Sequence, residues 1–424
     1  MKKILPFFVC LVACVCFVFA GCSATQTKTF ETPSAAAQVN SNGGLAVAKG
    51  DYVYFVGGFE KNTAATKDYS VKQGAIYKAV LVDGKLDKIE KFVNKVCGYQ
   101  YGGLYIFGDR LFYTTPEVEK DGAGKVRNDL LKLESIKLDG SDCKTHYVTE
   151  SAFSSTNWVN FFQTESKLYA VVYNDAKIIR IDIKNNNQIS VLEDENITNA
   201  VYANGRVAFA QTVDSQNGLS TSGNIIKLVD VATKDVETIK DFTKDGKSAS
   251  LKSAEGDMLV CALDGMTIAF DLETGSQSTL FAGDLSSYYF TDGEKTVFKY
   301  GKKLYAAHLD GSIVLNDSEI CDEDATLGLV YDQNAYYVAN KKLLRKKLVA
   351  DSVQEELGEI GTLTTDMATD FDVVTVGGVE YVLLASKTAD KADAMICACK
   401  ISDKTITKFE FDAKTDNLKI KTGN

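Results

Sequence analysis

Side chains suited to chemistry are few in this chain and lie far apart. It has two histidines, His146 and His308. A nucleophile relay or a multi-histidine metal site needs imidazoles that converge on one point. These two fall in different repeats of the pattern described below, so each reads as a hydrogen-bonded strand histidine. Cys397-Ala398-Cys399 places two thiols on one face of a strand, because alternate residues share a face. No neighbouring Cys-x-x-Cys or His completes a metal set, and two residues of one extended strand make poor disulfide geometry. Core packing is the expected role. Residues 317–324 hold Asp317, Glu319, Asp322, Glu323 and Asp324 without the Asp-x-Asp-x-Asp-Gly spacing of a calcium loop, and read as a solvated loop between repeats. Asp121-Gly122-Ala123-Gly124-Lys125 lacks the Ser/Thr and helix that a phosphate loop needs. No catalytic residue, metal site or cofactor is expected.

Cys22 is the exception. Lys2 and Lys3 precede an apolar run over residues 4–20, broken by Pro6, and Phe19-Ala20-Gly21-Cys22 closes it with small residues before a cysteine. Polar sequence follows at once, as it does after a secretory signal and not after a membrane span. The motif resembles a lipobox, in which Cys22 is diacylated and becomes the new N-terminus. Residues 1–21 are then the signal peptide. Residues 22–43, rich in Ser, Thr, Ala and Gln, read as a flexible lipid-anchored tether. The expected location is extracytoplasmic, attached to the cell membrane by lipid. No other stretch has the ~20 apolar residues of a membrane helix.

Composition bounds the rest. The chain has 424 residues, 45% hydrophobic and 25% charged, which is globular. Net charge is −10 and becomes more negative when Lys2 and Lys3 are removed. That argues against nucleic acid and anionic headgroups as electrostatic partners. Beyond the signal, Cys97, Cys143, Cys261, Cys321, Cys397 and Cys399 lack the dense spacing of a disulfide scaffold and read as buried small hydrophobes. The chain is expected to be a monomer.

The elements that must position any site come from a repeat. A short apolar strand meets a Gly/Asp/Asn turn, then a strongly apolar strand. A third strand follows a loop of variable length, ends in a second turn, and a fourth strand closes the unit. The first turn falls at Gly50-Asp51, Gly108-Asp109, Glu165-Ser166, Asn204-Gly205, Gly256-Asp257, Asp292-Gly293, Gln333-Asn334 and Gly377-Gly378. The second falls at Asp83-Gly84, Asp139-Gly140, Asn185-Asn186, Thr233-Lys234, Thr274-Gly275, Asp310-Gly311, Ala350-Asp351 and Ser402-Asp403. Gly, Asp and Asn supply the positive φ of two-residue hairpin turns. Four strands per unit of roughly 40–50 residues is the β-propeller pattern. The fold class is therefore all-β, a propeller of eight four-stranded blades over residues 44–411. The sixth unit is compressed, which leaves seven blades open. Residues 412–424 form a C-terminal tail, within which residues 418–421 have the character of an added edge strand.

With strands such as Tyr52-Val53-Tyr54-Phe55 followed by Ile76-Tyr77-Lys78, the region resembles bacterial β-propeller lipoproteins of unknown function, and through them the low-density-lipoprotein-receptor type of propeller. It lacks the Tyr-Trp-Thr-Asp tetrad of those receptors, so the resemblance implies a fold and no ligand.

Connections between second and third strands are long in units one, two, four and eight. Function concentrates on long loops held by rigid scaffolds. Units eight, one and two are neighbours in a closed ring, so their loops should form a raised wall. Phe59, Lys67, Tyr69, Lys125 and Arg127 are the expected ligand-binding residues on it. The implied role is a cell-envelope binding or scaffold module for an extracytoplasmic protein, peptide or glycan. The competing class is an envelope polysaccharide lyase or hydrolase with an acid/Tyr/Lys site at the central channel. Acids, Arg and Tyr converging there would favour the enzyme, and small apolar residues would favour binding.

Overall fold

A computed structural model of the chain describes residues 28–57, 74–82, 85–98, 101–116, 118, 129–154, 156–213, 222–282, 286–291, 294–312, 319–321, 325–360, 370–387, 394–412, 414 and 417–420. Eight antiparallel sheets follow one another along the chain, each built from consecutive strands. Blade one holds β1 (Val39–Asn40), β2 (Ala46–Lys49), β3 (Tyr52–Val56), β4 (Ile76–Val82) and β5 (Lys85–Val93). Blade two holds β6 (Tyr105–Phe107), β7 (Arg110–Thr115), β8 (Lys132–Lys137) and β9 (Lys144–Val148). Blade three holds β10 (Trp158–Gln163), β11 (Leu168–Asn174), β12 (Lys177–Asp182) and β13 (Asn187–Glu193). Blade four holds β14 (Ile197–Ala203), β15 (Arg206–Gln211), β16 (Ile225–Asp230) and β17 (Val236–Asp241). Blade five holds β18 (Ala249–Glu255), β19 (Met258–Leu263), β20 (Met266–Asp271) and β21 (Gln277–Ala282). Blade six holds β22 (Ser286–Thr291), β23 (Lys295–Tyr300), β24 (Lys303–His308) and β25 (Glu319–Cys321). Blade seven holds β26 (Thr326–Tyr331), β27 (Asn334–Ala339), β28 (Lys342–Lys347) and β29 (Glu355–Glu359). Blade eight holds β30 (Asp370–Val376), β31 (Val379–Lys387), β32 (Ala394–Lys400), β33 (Thr405–Asp412) and β34 (Asn417–Ile420). Eight blades form, and the tail does supply an edge strand, β34 on β33.

The turn chemistry explains the register. Asn204 and Gly205 both have positive φ (43° and 83°), as a two-residue hairpin turn demands. Strands are apolar on both faces because each blade lies between two others. In β3, Tyr54 and Val56 pack toward blade two, with Phe92 and Tyr113. Val53 and Phe55 pack toward blade eight, with Val374, Leu383 and Phe409. Burying each such large apolar side chain contributes roughly 1.5–3 kcal/mol.

That second cluster is the closing seam. Among the described residues, no strand is exchanged between the first and last blades. Closure rests on side-by-side packing and a few polar bonds. The backbone N–H of Ala46 donates to Asp372 Oδ2 at 2.9 Å, and Gly377 N–H donates to the Gly50 carbonyl at 3.1 Å. Gly44 has no room for a side chain here, since a Cβ would lie 2.0 Å from Asp372 Oδ2.

Two expectations change. Residues 28–43 were expected to belong to a flexible tether, yet they pack on the ring. Phe30 is only 4% exposed, and β1 pairs with β2, at the channel edge of blade one. One aromatic and a few side-chain amides and hydroxyls, each finding a distant partner, outweigh the segment's lack of periodicity. The acidic run at 317–324 was expected to be a loop, but its centre forms β25, where Ile320 and Cys321 are buried. The apolar pair there overrides the flanking charges.

Candidate functional site

The residues expected on the loop wall, Phe59, Lys67, Tyr69, Lys125 and Arg127, lie outside the described residues, as does Cys22. The blades that carry the expected wall are adjacent, since β2 packs against both β30 and β6. A four-stranded meander puts its first and third turns at one end and its middle connection at the other. The ring therefore has a turn face, where first strands meet second and third strands meet fourth, and a loop face, where second strands end and third strands begin.

Cys397 and Cys399 point to one side of β32 and are buried between blades seven and eight. Burial pushes the Cys399 thiol up to about 11. Cys97, Cys261 and Cys321 are buried too, with Cys143 half-buried, and the core-packing role holds for the Cys397–Cys399 pair. Among the described residues, no group of three or more His, Cys, Asp or Glu is placed to hold a metal ion. Nor is any helix there long and apolar enough to cross a membrane.

His146 sits in a chain of bonds whose order mimics a catalytic relay. Ser135 Oγ lies 2.7 Å from His146 Nε2, and His146 Nδ1 lies 2.8 Å from Asn186 Oδ1 on blade three. Arg110 Nε–H donates to Ser135 Oγ at 2.9 Å. With Arg110 donating to it, Ser135 directs its own proton to Nε2, and Nδ1–H donates to Asn186. Ser135 is 0% exposed, so no substrate reaches its oxygen, and the relay works as a staple between blades. Burial holds the imidazole below its ordinary range. Arg110 and Lys144 push the same way, against Asn186 and Glu134. A lowered folded-state value means that the folded protein binds fewer protons once pH drops below the unfolded value of about 6.5. Stability supplied by neutral His146 should then be present above pH ~6.5 and be lost as pH falls toward the lowered value. Urea titrations from pH 7.5 to 5 should show this loss in wild type and a smaller one in His146→Gln. Equal slopes would remove His146 from the account.

The concave feature that the sequence did not reveal is on the channel wall. Inner strands β10, β14 and β18 border a cavity of about 540 Å³, lined by Trp158, Asn160, Tyr202, Lys252 and Ser253 and reaching the turns at Asn204 and Gly256. Trp158, the one tryptophan of the chain, is held by Nε1–H donating to the Ala200 carbonyl at 2.9 Å. It also packs edge-on to Tyr202 at 5.9 Å. Tyr202 is fixed in turn, its hydroxyl donating to the Phe161 carbonyl at 2.9 Å. Asn160 Oδ1 accepts from Tyr105 OH at 3.1 Å, which leaves its amide Nδ2 without a partner among the described residues. Ser253 Oγ is buried and likewise unpartnered there. Such unmet groups in a wall call for water or a ligand. The pocket thus offers held aromatic surface beside amide, hydroxyl and ammonium groups.

The remainder of the inner wall is mixed. In blade one β1 stands at the channel edge and leaves Ala46, Val47 and Ala48 of β2 fully buried, while Asp372 of blade eight is spent on the closing seam. Two further clefts, about 490 and 430 Å³, border residues 28–35 on the turn face.

Eight blades around a channel, each a meander of four strands with one added edge strand in blades one and eight, define a β-propeller. No family model matches the chain, and no curated protein matches it, so the fold is shared without placing the chain in a family. Among solved structures it is similar to apo AztD from Citrobacter koseri, at 11% identity over 87% of this chain and 94% of that one, TM-score 0.48. It is also similar to dipeptidyl peptidase 4 from Porphyromonas gingivalis, at 12% identity over 88% of this chain and 59% of that one, TM-score 0.48. An oligogalacturonate lyase in complex with manganese matches at 14% identity over 77% of this chain and 96% of that one, TM-score 0.40. At these identities the likeness is one of fold, and no residue, ligand or activity is carried over.

Proposed function

We propose that the chain is a cell-envelope lipoprotein, held to the membrane by lipid on Cys22. Its propeller is a non-catalytic binding or scaffold module for an extracytoplasmic protein, peptide or glycan. The observation that carries the binding role is the channel pocket. Aromatic rings held by their own polar bonds beside unpaired amide and hydroxyl groups suit a ligand with one flat apolar face and many hydroxyls, as a sugar ring has. Two acyl chains at about 0.8 kcal/mol per buried CH₂ suffice for stable attachment.

The lyase or hydrolase reading requires a free acid, Tyr or Lys to transfer protons at the channel. Tyr202 donates its hydroxyl to a carbonyl, and burial pushes it above its ordinary range, both of which disfavour it as a base at neutral pH. The Ser135 relay is closed to substrate.

A pull-down from envelope extract with the mature chain, beside Asn160→Ala and Lys252→Ala, tests the proposal. Each variant should weaken capture about tenfold, the value of one good hydrogen bond or ion contact. Captured glycan should be recovered uncut. Capture untouched by both changes would move the site off the channel, and cut product would restore the enzyme reading.

A further inference from the structure

We propose that residues 28–43 act as a strap that fixes the ring on the membrane with its turn face toward the lipid; this rests on the lipid-anchor reading. The strap makes contacts along its whole length. Phe30 N–H donates to the Asp139 carbonyl at 3.1 Å, and its ring meets Phe92 edge-on at 4.9 Å. Lys78 of β4, itself 4% exposed, donates through Nζ to the Glu31 carbonyl and lies 4.3 Å above the Tyr52 ring. Gly50 N–H donates to the Gln38 carbonyl at 3.3 Å. Beyond β1 the strap crosses in front of blade one. Ser41 Oγ donates to the Val373 carbonyl of blade eight. Asn42 grips Ile106 of blade two, accepting from its N–H at 2.7 Å and donating to its carbonyl at 3.3 Å. Three blades that include the closing seam are thereby tied together.

Asp139-Gly140 and Gly50 belong to the turn series, so the strap enters across the turn face. Only Ser23, Ala24, Thr25, Gln26 and Thr27 separate Cys22 from Lys28. Fully extended, those links reach about 20 Å, whereas an undocked tether to residue 43 would reach about 75 Å. A lipid on Cys22 therefore keeps the turn face close to the bilayer. The loop face looks away.

The test uses the acylated full-length chain in phosphatidylcholine vesicles that carry a nitroxide quencher on the headgroup. A fluorophore is attached at Glu273→Cys, on the turn face of blade five, or at Lys302→Cys, on the loop face of blade six, with wild type as the labelling blank. The Glu273→Cys label should be quenched severalfold more than the Lys302→Cys label. Phe30→Ala combined with Asn42→Ala should erase the difference while the protein still floats with the vesicles. Flotation with equal or reversed quenching overturns the orientation alone. A chain that fails to float overturns the anchor reading, and the proposal with it.

Discussion

Phe30→Ala should release the strap without unfolding the ring. Removing a buried phenylalanine costs about 3–5 kcal/mol, and Phe30 is the strap's largest buried side chain, wedged against Phe92 and Gly140. The strap is joined to the ring through one end, so it undocks locally and the loss is confined to its own amides. Hydrogen exchange at Gly43, whose N–H donates to the Leu104 carbonyl at 2.7 Å, should accelerate by two to three powers of ten, since each 1.4 kcal/mol is tenfold. Amides in blades four to six should keep their protection. Unchanged exchange at Gly43 would mean that the polar bonds of Ser41 and Asn42 hold the strap alone.

A comparable loss, now global, is expected from Lys95→Met. Glu134 of β8 is 0% exposed and is surrounded by donors: Lys95 Nζ at 2.6 Å, Tyr113 OH at 2.9 Å and Thr145 Oγ1 at 3.2 Å. Deleting the cation leaves a buried carboxylate without its counter-charge, which typically costs about 3–5 kcal/mol. The urea midpoint should fall with an unchanged m-value, the mark of lost stability without a change in compactness. Adding Glu134→Gln to Lys95→Met should recover most of it, because the charge goes with its partner. A single variant as stable as wild type would show that hydrogen bonds from Tyr113 and Thr145 suffice.

Much of the fold was legible because propeller turns are local. Gly108, Gly256 and Gly377 sit at positive φ just where the turn series placed them. Strands such as Tyr52–Val56, apolar on both faces, announce a blade between two neighbours. The long-range features left little local trace. The strap has no period, and its partners Phe92, Asp139, Ile106 and Val373 lie far along the chain, so its polar composition read as a spacer. In blade six the fourth strand is the short Glu319–Cys321, masked in the sequence by acidic flanks. The channel pocket draws on three blades at once. Its one sequence signal was a solitary tryptophan, which carries no spacing information. His146 was read correctly as a bonded strand residue, though its partner Asn186 belongs to the next blade.

Binding without reaction at the channel wall, as proposed above, is directly measurable through Trp158. As the chain's one tryptophan, it reports on the pocket without a label. The mature chain would be titrated with oligosaccharides released from envelope glycans, following indole emission and then analysing the recovered sugar. A saturable emission change is expected for at least one glycan class, its midpoint moved about tenfold higher by Asn160→Ala or by Lys252→Ala, with the sugar returned intact. Emission that no glycan or peptide pool moves, or sugar returned cleaved, would contradict it.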